Sequence, residues 1–490
     1  MTGFTSLDLG VLLAYMVGVT VWGAWLGRGQ KGGTDYFLGS RNLPWVAVLL
    51  SVVATETSTL TFLSIPGVAY VGTLAFVQLT VGYLVGRIVV ASVLLPAYYR
   101  GDLTTAYALL EGRFGGGTRR LTSGIFMVTR LLADSVRLFA TAIPLALITG
   151  WSYWASILVI GAATVVYTYL GGIKAVVWVD ALQMALYLLG ALVAGVALHL
   201  AVPGGWLAIL DQAGAAGKLR VLDFSLDPGT AYTFWAGLVG GAFLSMASHG
   251  TDQLIVQRLL TCRDLRSSQK ALIGSGIMVM AQFLIFLLVG LGLWAFYEAR
   301  AVSTPDEIFA RFIVEQLPPG VTGLLIAGVF AAAMSSLSSS INALASASAY
   351  DFWAPAVGAE NDDARVLRAG RVFTLVWAGL LVGGAILFIP ASSRTAAVEV
   401  ALAVASLVYG GLLGAFALGV FSRRADGTSV SVGVAVGIGA VTAVWIFARA
   451  QVAWPWFAVM GSLITFVVGS LLGRGLPSAD PGDRATYRPI

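Results

Sequence analysis

SVVATETSTLTFLSIPG, Ser51 to Gly67, places a carboxylate, Glu56, among five hydroxyl residues: Thr55, Thr57, Ser58, Thr59 and Thr61. Apolar residues flank this stretch, and Pro66 and Gly67 close it. A continuous helix here would carry Glu56 into an apolar medium, at a cost of a few kcal/mol if that medium is hydrocarbon. The alternative is an interrupted helix. Ser and Thr hydroxyls compete with helical pairing, and unwinding near Thr55 to Ser58 frees backbone carbonyls. At membrane depth such carbonyls are tolerated only where they line a cavity or bind something. Taken alone, the stretch also fits a kinked helix packed through its hydroxyls.

Composition decides the medium. Of 490 residues, 58% are hydrophobic and 11% charged, where a soluble domain carries about 25% charged residues. Mean hydropathy is +0.87. The fold class expected is all-α, a polytopic membrane protein with the lipid bilayer as solvent. Apolar runs of about 20 residues give thirteen spans, near 7–27, 43–70, 74–98, 123–149, 154–171, 176–200, 231–257, 271–297, 321–349, 370–390, 398–421, 429–448 and 455–473. The first run lacks a basic leader and is long enough to span, so no cleavable signal is expected.

The 29 basic residues do not indicate nucleic-acid binding, because most fall in short loops between spans. With the N-terminus outside, 20 lie on one side, 6 on the other and 3 (Arg87, Arg130 and Arg137) within spans. That asymmetry places the C-terminus in the cytoplasm. A transmembrane domain over residues 1–475 and a disordered cytoplasmic tail over 476–490 follow. The single cysteine, Cys262, excludes an internal disulfide framework, and His199 and His249 are too far apart in sequence to suggest a His-rich metal site.

Two further polar stretches bear on the first. AAAMSSLSSSINALASAS, Ala331 to Ser348, crowds Ser335, Ser336, Ser338 and Ser339 into about one turn of the ninth span. Positions 335, 338 and 339 share a helix face. A hard monovalent cation takes about five or six oxygens, which carbonyls freed in one span and hydroxyls on another would supply. Serine and alanine rows are also ordinary packing faces in membranes. TYLGGIKAVVWVDALQ, Thr168 to Gln183, puts Lys174 at a cytoplasmic edge and Asp180 just inside the sixth span. A carboxylate there calls for a cation or a basic partner, and Lys174 is one candidate.

Together these segments resemble the sodium:solute symporter family. GGIKAVVWVDALQ is similar to its signature segment, HGTDQLIVQRLL (His249–Leu260) to the end of its seventh span, and AAAMSSLSSSINALAS to its sodium-binding helix. The likeness covers about residues 5–475. It implies a LeuT-like core of two inverted five-helix repeats, about 43–200 and 231–421, with discontinuous helices at the repeat interface. It implies sodium-coupled uptake of a small organic solute, with Na+ held by the carbonyls of Ala54, Thr57 and Ala332 and the hydroxyls of Ser335 and Ser336. A second sodium site, found in some members, would use Asp180, Ser338 and Ser339, leaving one or two ions per cycle open. Glu56 differs from other members and is expected to pair with a basic group rather than touch solute.

The resemblance places the solute beside the breaks of the second and seventh spans. Ser58, Thr61 and Gln78 are expected to face it. In TRLLADSVRLFA, Arg130 and Asp134 stand i, i+4 and Asp134 and Arg137 i, i+3, so one arginine is left over or the three neutralise each other. A leftover arginine suits a carboxylate, and Arg137 is the better match to the arginine of sialic-acid transporters. The reading leans to a carboxylate such as a sialic acid or monocarboxylate, with a neutral sugar or amino acid next. Three rivals remain. Proton coupling would use Asp180 or Glu56. A transport-like sensor needs an output domain, and none is expected from the short stretch after the last span. An enzyme needs a nucleophile–base pair or metal ligands at membrane depth, and the sequence offers none.

Overall fold

Thr57 (φ −86°, ψ 103°) and Ser58 (φ −94°, ψ 171°) are extended, and the second span is broken there. The structure is a computed structural model that describes residues 4–473 apart from 102, 301–304 and 390–396. The proposed tail, 476–490, lies outside the described residues. Helix α1 covers Ser6–Leu26. The second span comprises α2 (Trp45–Glu56) and α3 (Thr59–Val71), and its halves are inclined by 62°. The Thr55 hydroxyl turns back to the Ser51 carbonyl at 2.7 Å, a bond that loosens the last turn before the break.

Helices α4 (Val77–Arg100) and α5 (Gly116–Thr149) follow. Helix α6, Tyr153–Ala201, has 49 residues. At 1.5 Å per residue it would run about 73 Å, more than twice the hydrocarbon thickness. Gly172, at φ 52° and ψ −153°, divides it into the fifth and sixth expected spans. Glycine is required there, since an L side chain resists that φ and a Cβ would meet the Tyr36 carbonyl.

The seventh span is also broken. A π turn, Ala236–Gly240, leads into α7 (Gly241–Gly250), and α8 (Gln253–Leu259) follows. Asp252 is extended between them and caps α8, its carboxylate accepting from the Leu254 amide at 2.9 Å. Then come α9 (Leu265–Phe296), α10 (Val321–Ala347), α11 (Asp363–Leu387), α12 (Ala397–Phe421), α13 (Gly427–Phe447) and α14 (Pro455–Leu472). Each expected span therefore has a helix at its position, and no strand occurs among the described residues. Among the described residues eight helices are long and apolar enough to cross a membrane, or nine when α2 and α3 count as one.

Burial identifies the centre. In the span containing α10, 89% of the most apolar stretch is covered by protein, against 22% in α1. A helix buried all round is a core element, so the serine-rich segment is central, whereas α1 presents most of its surface outward. Burial also corrects the charge count: Arg258, placed in a loop from sequence, is fully buried in α8, and Arg119 is nearly so in α5. Both are structural cations rather than loop charges.

Candidate functional site

Ser335 and Ser336 lie on α10 with hydroxyl oxygens that are buried and make no hydrogen bond among the described residues. A buried hydroxyl without a partner costs about 1–3 kcal/mol, so the two adjacent ones are candidates to meet a ligand. The broken span is pinned to this helix on both sides of its break. Thr55 Oγ1 lies 3.0 Å from Ser339 Oγ, and Thr59 Oγ1 donates to the Val329 carbonyl at 3.0 Å. Ala54 and Thr57 sit at the C-terminal end of α2, where the last carbonyls lack intrahelical donors. Ala332 is buried one turn before Ser335 and Ser336 in continuous helix, so its carbonyl has only its second lone pair to offer. The break that carries Ala54 and Thr57 is thus held against the helix that carries Ala332, Ser335 and Ser336, and neutral oxygens of this kind are the type an alkali cation takes. The Thr57 hydroxyl is held from outside this set, accepting from the Gln282 amide at 2.9 Å.

The other expected ion site already contains a cation. Asp180 Oδ2 accepts from Ser51 Oγ at 2.7 Å and from the Arg258 guanidinium at 3.2 Å. Arg258 also donates to Ser51 Oγ at 2.9 Å, to the Leu254 carbonyl at 2.6 Å and to Ser339 Oγ. Ser338 and Ser339 both donate to the Ser335 carbonyl, at 3.0 and 2.6 Å. Asp180 Oδ1 alone is left without a hydrogen bond. Lys174 is not its partner: it pairs with Asp35 instead.

A narrow cleft runs beside the break, lined by Ser58, Asp134, Arg137, Thr141 and Ser336 among others. It has room for about one water. Arg130 does not reach it as a free charge. It pairs with Asp252 at the seventh-span break and donates to the Tyr409 hydroxyl, which in turn donates to Asp252 at 3.0 Å. Asp134 takes Ser340 Oγ at 2.6 Å and stands 3.6 Å from Arg130 and 3.3 Å from Arg137. Arg137 therefore faces the cleft with a single, shared carboxylate. Of the expected solute residues, Ser58 and Arg137 line the cleft. Thr61, half-buried one turn further along α3, does not. Gln78 does not either. Its amide donates to the carbonyls of Ala75 (3.2 Å) and Tyr232 (3.1 Å) and accepts from the Asp223 amide (3.0 Å), which holds down an outer loop.

Glu56 has the basic partner expected of it. Arg87 of α4, fully buried, pairs with it and donates to Ser275 Oγ at 2.8 Å. His249 Nε2 lies 3.5 Å from the same carboxylate. Glu56 ends α2 and His249 stands next to last in α7, so one carboxylate joins the ends of both broken spans. Sequence reasoning missed Arg258, Asp252 and Gln282. For Asp252 a signal existed: Gly250-Thr251-Asp252 before QLIVQRL has the form of a helix stop followed by an N-cap.

A model of the sodium:solute symporter family matches residues 36–437. The sodium/sialic acid symporter NanT of Aliivibrio fischeri is 30% identical over 96% of this chain and 93% of its own length. The human sodium-coupled monocarboxylate transporter 1 is 29% identical over 90% of this chain and 72% of its own. A sodium-coupled sialic acid symporter solved in a substrate-bound outward-open state, with a novel sodium site, superposes with a TM-score of 0.87 at 26% identity, covering 97% of this chain and 99% of that one. With two interrupted spans around a buried serine helix and this likeness along nearly its whole length, the chain belongs to the sodium:solute symporter family, and is a sodium-coupled membrane transporter of small organic solutes with an all-α, LeuT-like fold.

Proposed function

We propose that the solute carries a carboxylate and binds in the cleft between the α2–α3 break, α5 and α10, with Arg137 as its counter-charge and Ser58 as a hydroxyl donor. The observation that carries this is the lining of the cleft, which must widen from its one-water size to admit a solute and which unites a residue of the break (Ser58), an arginine with only a shared acidic partner (Arg137) and an open hydroxyl of α10 (Ser336). A planar guanidinium binds carboxylate through paired hydrogen bonds. Sialic acid and monocarboxylates, the solutes in the names of the relatives, share that group. Thr61 would join the solute shell only after a shift of α3. The Asp134–Arg137 distance of 3.3 Å favours a second reading, in which the pair is internally neutral and the solute is an uncharged sugar or amino acid.

Sodium is proposed at Ala54, Thr57, Ala332, Ser335 and Ser336. A second ion at Asp180, Ser338 and Ser339 would have to share its carboxylate with Arg258. The chain is read as thirteen crossings of a lipid bilayer within residues 1–475, N-terminus outside and C-terminus cytoplasmic, with repeats at about 43–200 and 231–421. In each repeat the first span is the broken one. Nucleic acid has no part in this reading, since the basic residues serve orientation and buried pairing.

In operation, sodium entering from outside satisfies the open hydroxyls of α10 and the carbonyls at the end of α2, and so holds the break in the shape that forms the cleft. Solute then completes the charge at Arg137. Each sodium moving down about 100 mV contributes roughly 2.3 kcal/mol, before its concentration gradient is added. The test is uptake into proteoliposomes under sodium and proton gradients imposed separately, with a sialic acid, short monocarboxylates, neutral sugars and amino acids as competitors. Sodium-driven uptake blocked best by a carboxylate is expected. Full uptake on a proton gradient alone would remove sodium from the proposal, and competition by neutral solutes only would remove the carboxylate.

A further inference from the structure

A groove of about 380 Å³ opens between the helical turn after α10 and the start of α11, lined by Trp353, Arg365, Arg368, Ala369, Val372 and Phe373. Its volume is within the range of small-ligand sites, and its lining combines two guanidinium groups with two aromatic rings. Arg365 lies over the Trp353 ring at 5.9 Å and 3.9 Å from Asp362. Asp362 also accepts from the Arg365 amide at 3.0 Å as the cap of α11, so its charge is divided. Arg368 is exposed and has no acidic partner among the described residues. The neighbouring Asp363 is taken by the amide and hydroxyl of Thr34, at 2.8 and 3.0 Å.

Below the arginines the same face of α11 turns apolar. Val372, Leu375, Val376 and Leu380 are exposed at 60%, 49%, 47% and 45%, and their spacing continues the line begun by Arg365 and Arg368. Among the described residues nothing covers this stripe. A groove with cationic rim and aromatic wall at one end and a bare aliphatic stripe leading away has the two-part chemistry of an amphiphile.

We propose that this groove binds the headgroup of an anionic phospholipid of the cytoplasmic leaflet, its phosphate between Arg365 and Arg368 and one acyl chain along Val372 to Leu380. The inference rests on the orientation proposed above, which puts Arg365 and Arg368 on the cytoplasmic side, where anionic lipid attracts basic clusters. The site adjoins the sodium helix. Trp353 belongs to the π turn, Ser348–Trp353, that continues α10, and Trp377 of α11 donates to Ser348 Oγ in that turn at 2.8 Å. A lipid held here braces the cytoplasmic end of α10.

Native mass spectrometry of the full chain in detergent, titrated with phosphatidylglycerol or phosphatidylcholine, tests the proposal without reference to transport. Wild type should retain one phosphatidylglycerol at least threefold more strongly than R365Q/R368Q, with no difference for phosphatidylcholine. R423Q/R424Q, which neutralises another exposed basic pair, should behave as wild type. Equal retention by wild type and R365Q/R368Q overturns the site. So does equal loss in R423Q/R424Q, which would make the effect one of net charge. Displacement of the lipid by millimolar inorganic phosphate also overturns it, because the ligand would then be free phosphate. Binding in detergent does not depend on sidedness. One-sided labelling of a cysteine placed at Glu360 reports orientation separately, so failure of that reading is distinguishable from failure of the site.

Discussion

Two polar regions lie within one turn of each other on α10. At Ser335 and Ser336 the hydroxyls are buried without a hydrogen bond, Ser335 standing next to the Asp180 carboxylate where the two regions meet. At Ser338 and Ser339 they are taken, and the carboxylate beside them, Asp180, is paired with Arg258 and Ser51. Serine is the residue in both, and both are buried. What separates them is whether the protein supplies the partner. A region that satisfies its own polar atoms holds helices together. One that leaves them open in a core is built for something that arrives. The contrast recurs between the arginines of α5: Arg130 is fixed by Asp252 and Tyr409, whereas Arg137 shares a single carboxylate at the edge of a cleft.

The largest effect is expected from opening the satisfied region. Asp180→Asn leaves the Arg258 charge buried without its partner, a loss of about 3–5 kcal/mol, enough to abolish a folded monodisperse peak in size-exclusion chromatography. Asp180→Asn with Arg258→Gln should restore the peak and leave the sodium half-saturation within about twofold. If the double variant folds but its sodium half-saturation rises more than tenfold or its sodium Hill coefficient falls, Asp180 holds an ion after all and the two regions are alike. Next comes the open charge. Arg137→Gln should keep expression and cost about 10- to 100-fold in solute KM, the worth of a charge-assisted hydrogen bond. An unchanged KM for the transported solute would place Arg137 with Arg130 as scaffold.

Span positions were legible because apolar runs of membrane-crossing length survive without any knowledge of neighbours. The break was legible too, since ATETS is locally at odds with helix and with lipid at once. Pairing across the chain was not. Sequence spacing exposes partners three or four residues apart, as with Asp134 and Arg137. Arg258 and Asp180 are 78 positions apart, and RLLTCRD reads as a loop edge until α8 is seen to be buried. Glu56 is the intermediate case: its environment required a cation, but nothing local pointed to Arg87. Gln78 was expected to face the solute from the cavity that the resemblance implies; in this structure its amide holds an outer loop instead, a pairing 145 positions away in sequence.

The open hydroxyls give the next effect in size. Ser336→Ala removes one oxygen from the proposed sodium shell and should raise the sodium half-saturation about tenfold, equivalent to about 1.4 kcal/mol. Ser338→Ala, on the satisfied side, should shift sodium dependence less than twofold. Equal effects of the two substitutions would erase the distinction between the regions.

The smallest effect is expected at Gln78, and it tests the contrast away from α10. Its amide satisfies two carbonyls and one backbone amide across α4 and the outer loop. Gln78→Ala leaves those groups to find water or go unpaired, at a cost of about 1 kcal/mol, seen as a thermal midpoint lower by a few degrees at most. Because the loop lies outside the cleft, solute KM should change less than threefold and in the same proportion for every transported solute. A Gln78→Ala protein with unaltered thermal stability and a tenfold, solute-dependent rise in KM would show that a side chain with every polar atom satisfied still turns to the solute during transport. In that case an open polar atom in one structure would no longer be a sufficient guide to where the solute binds.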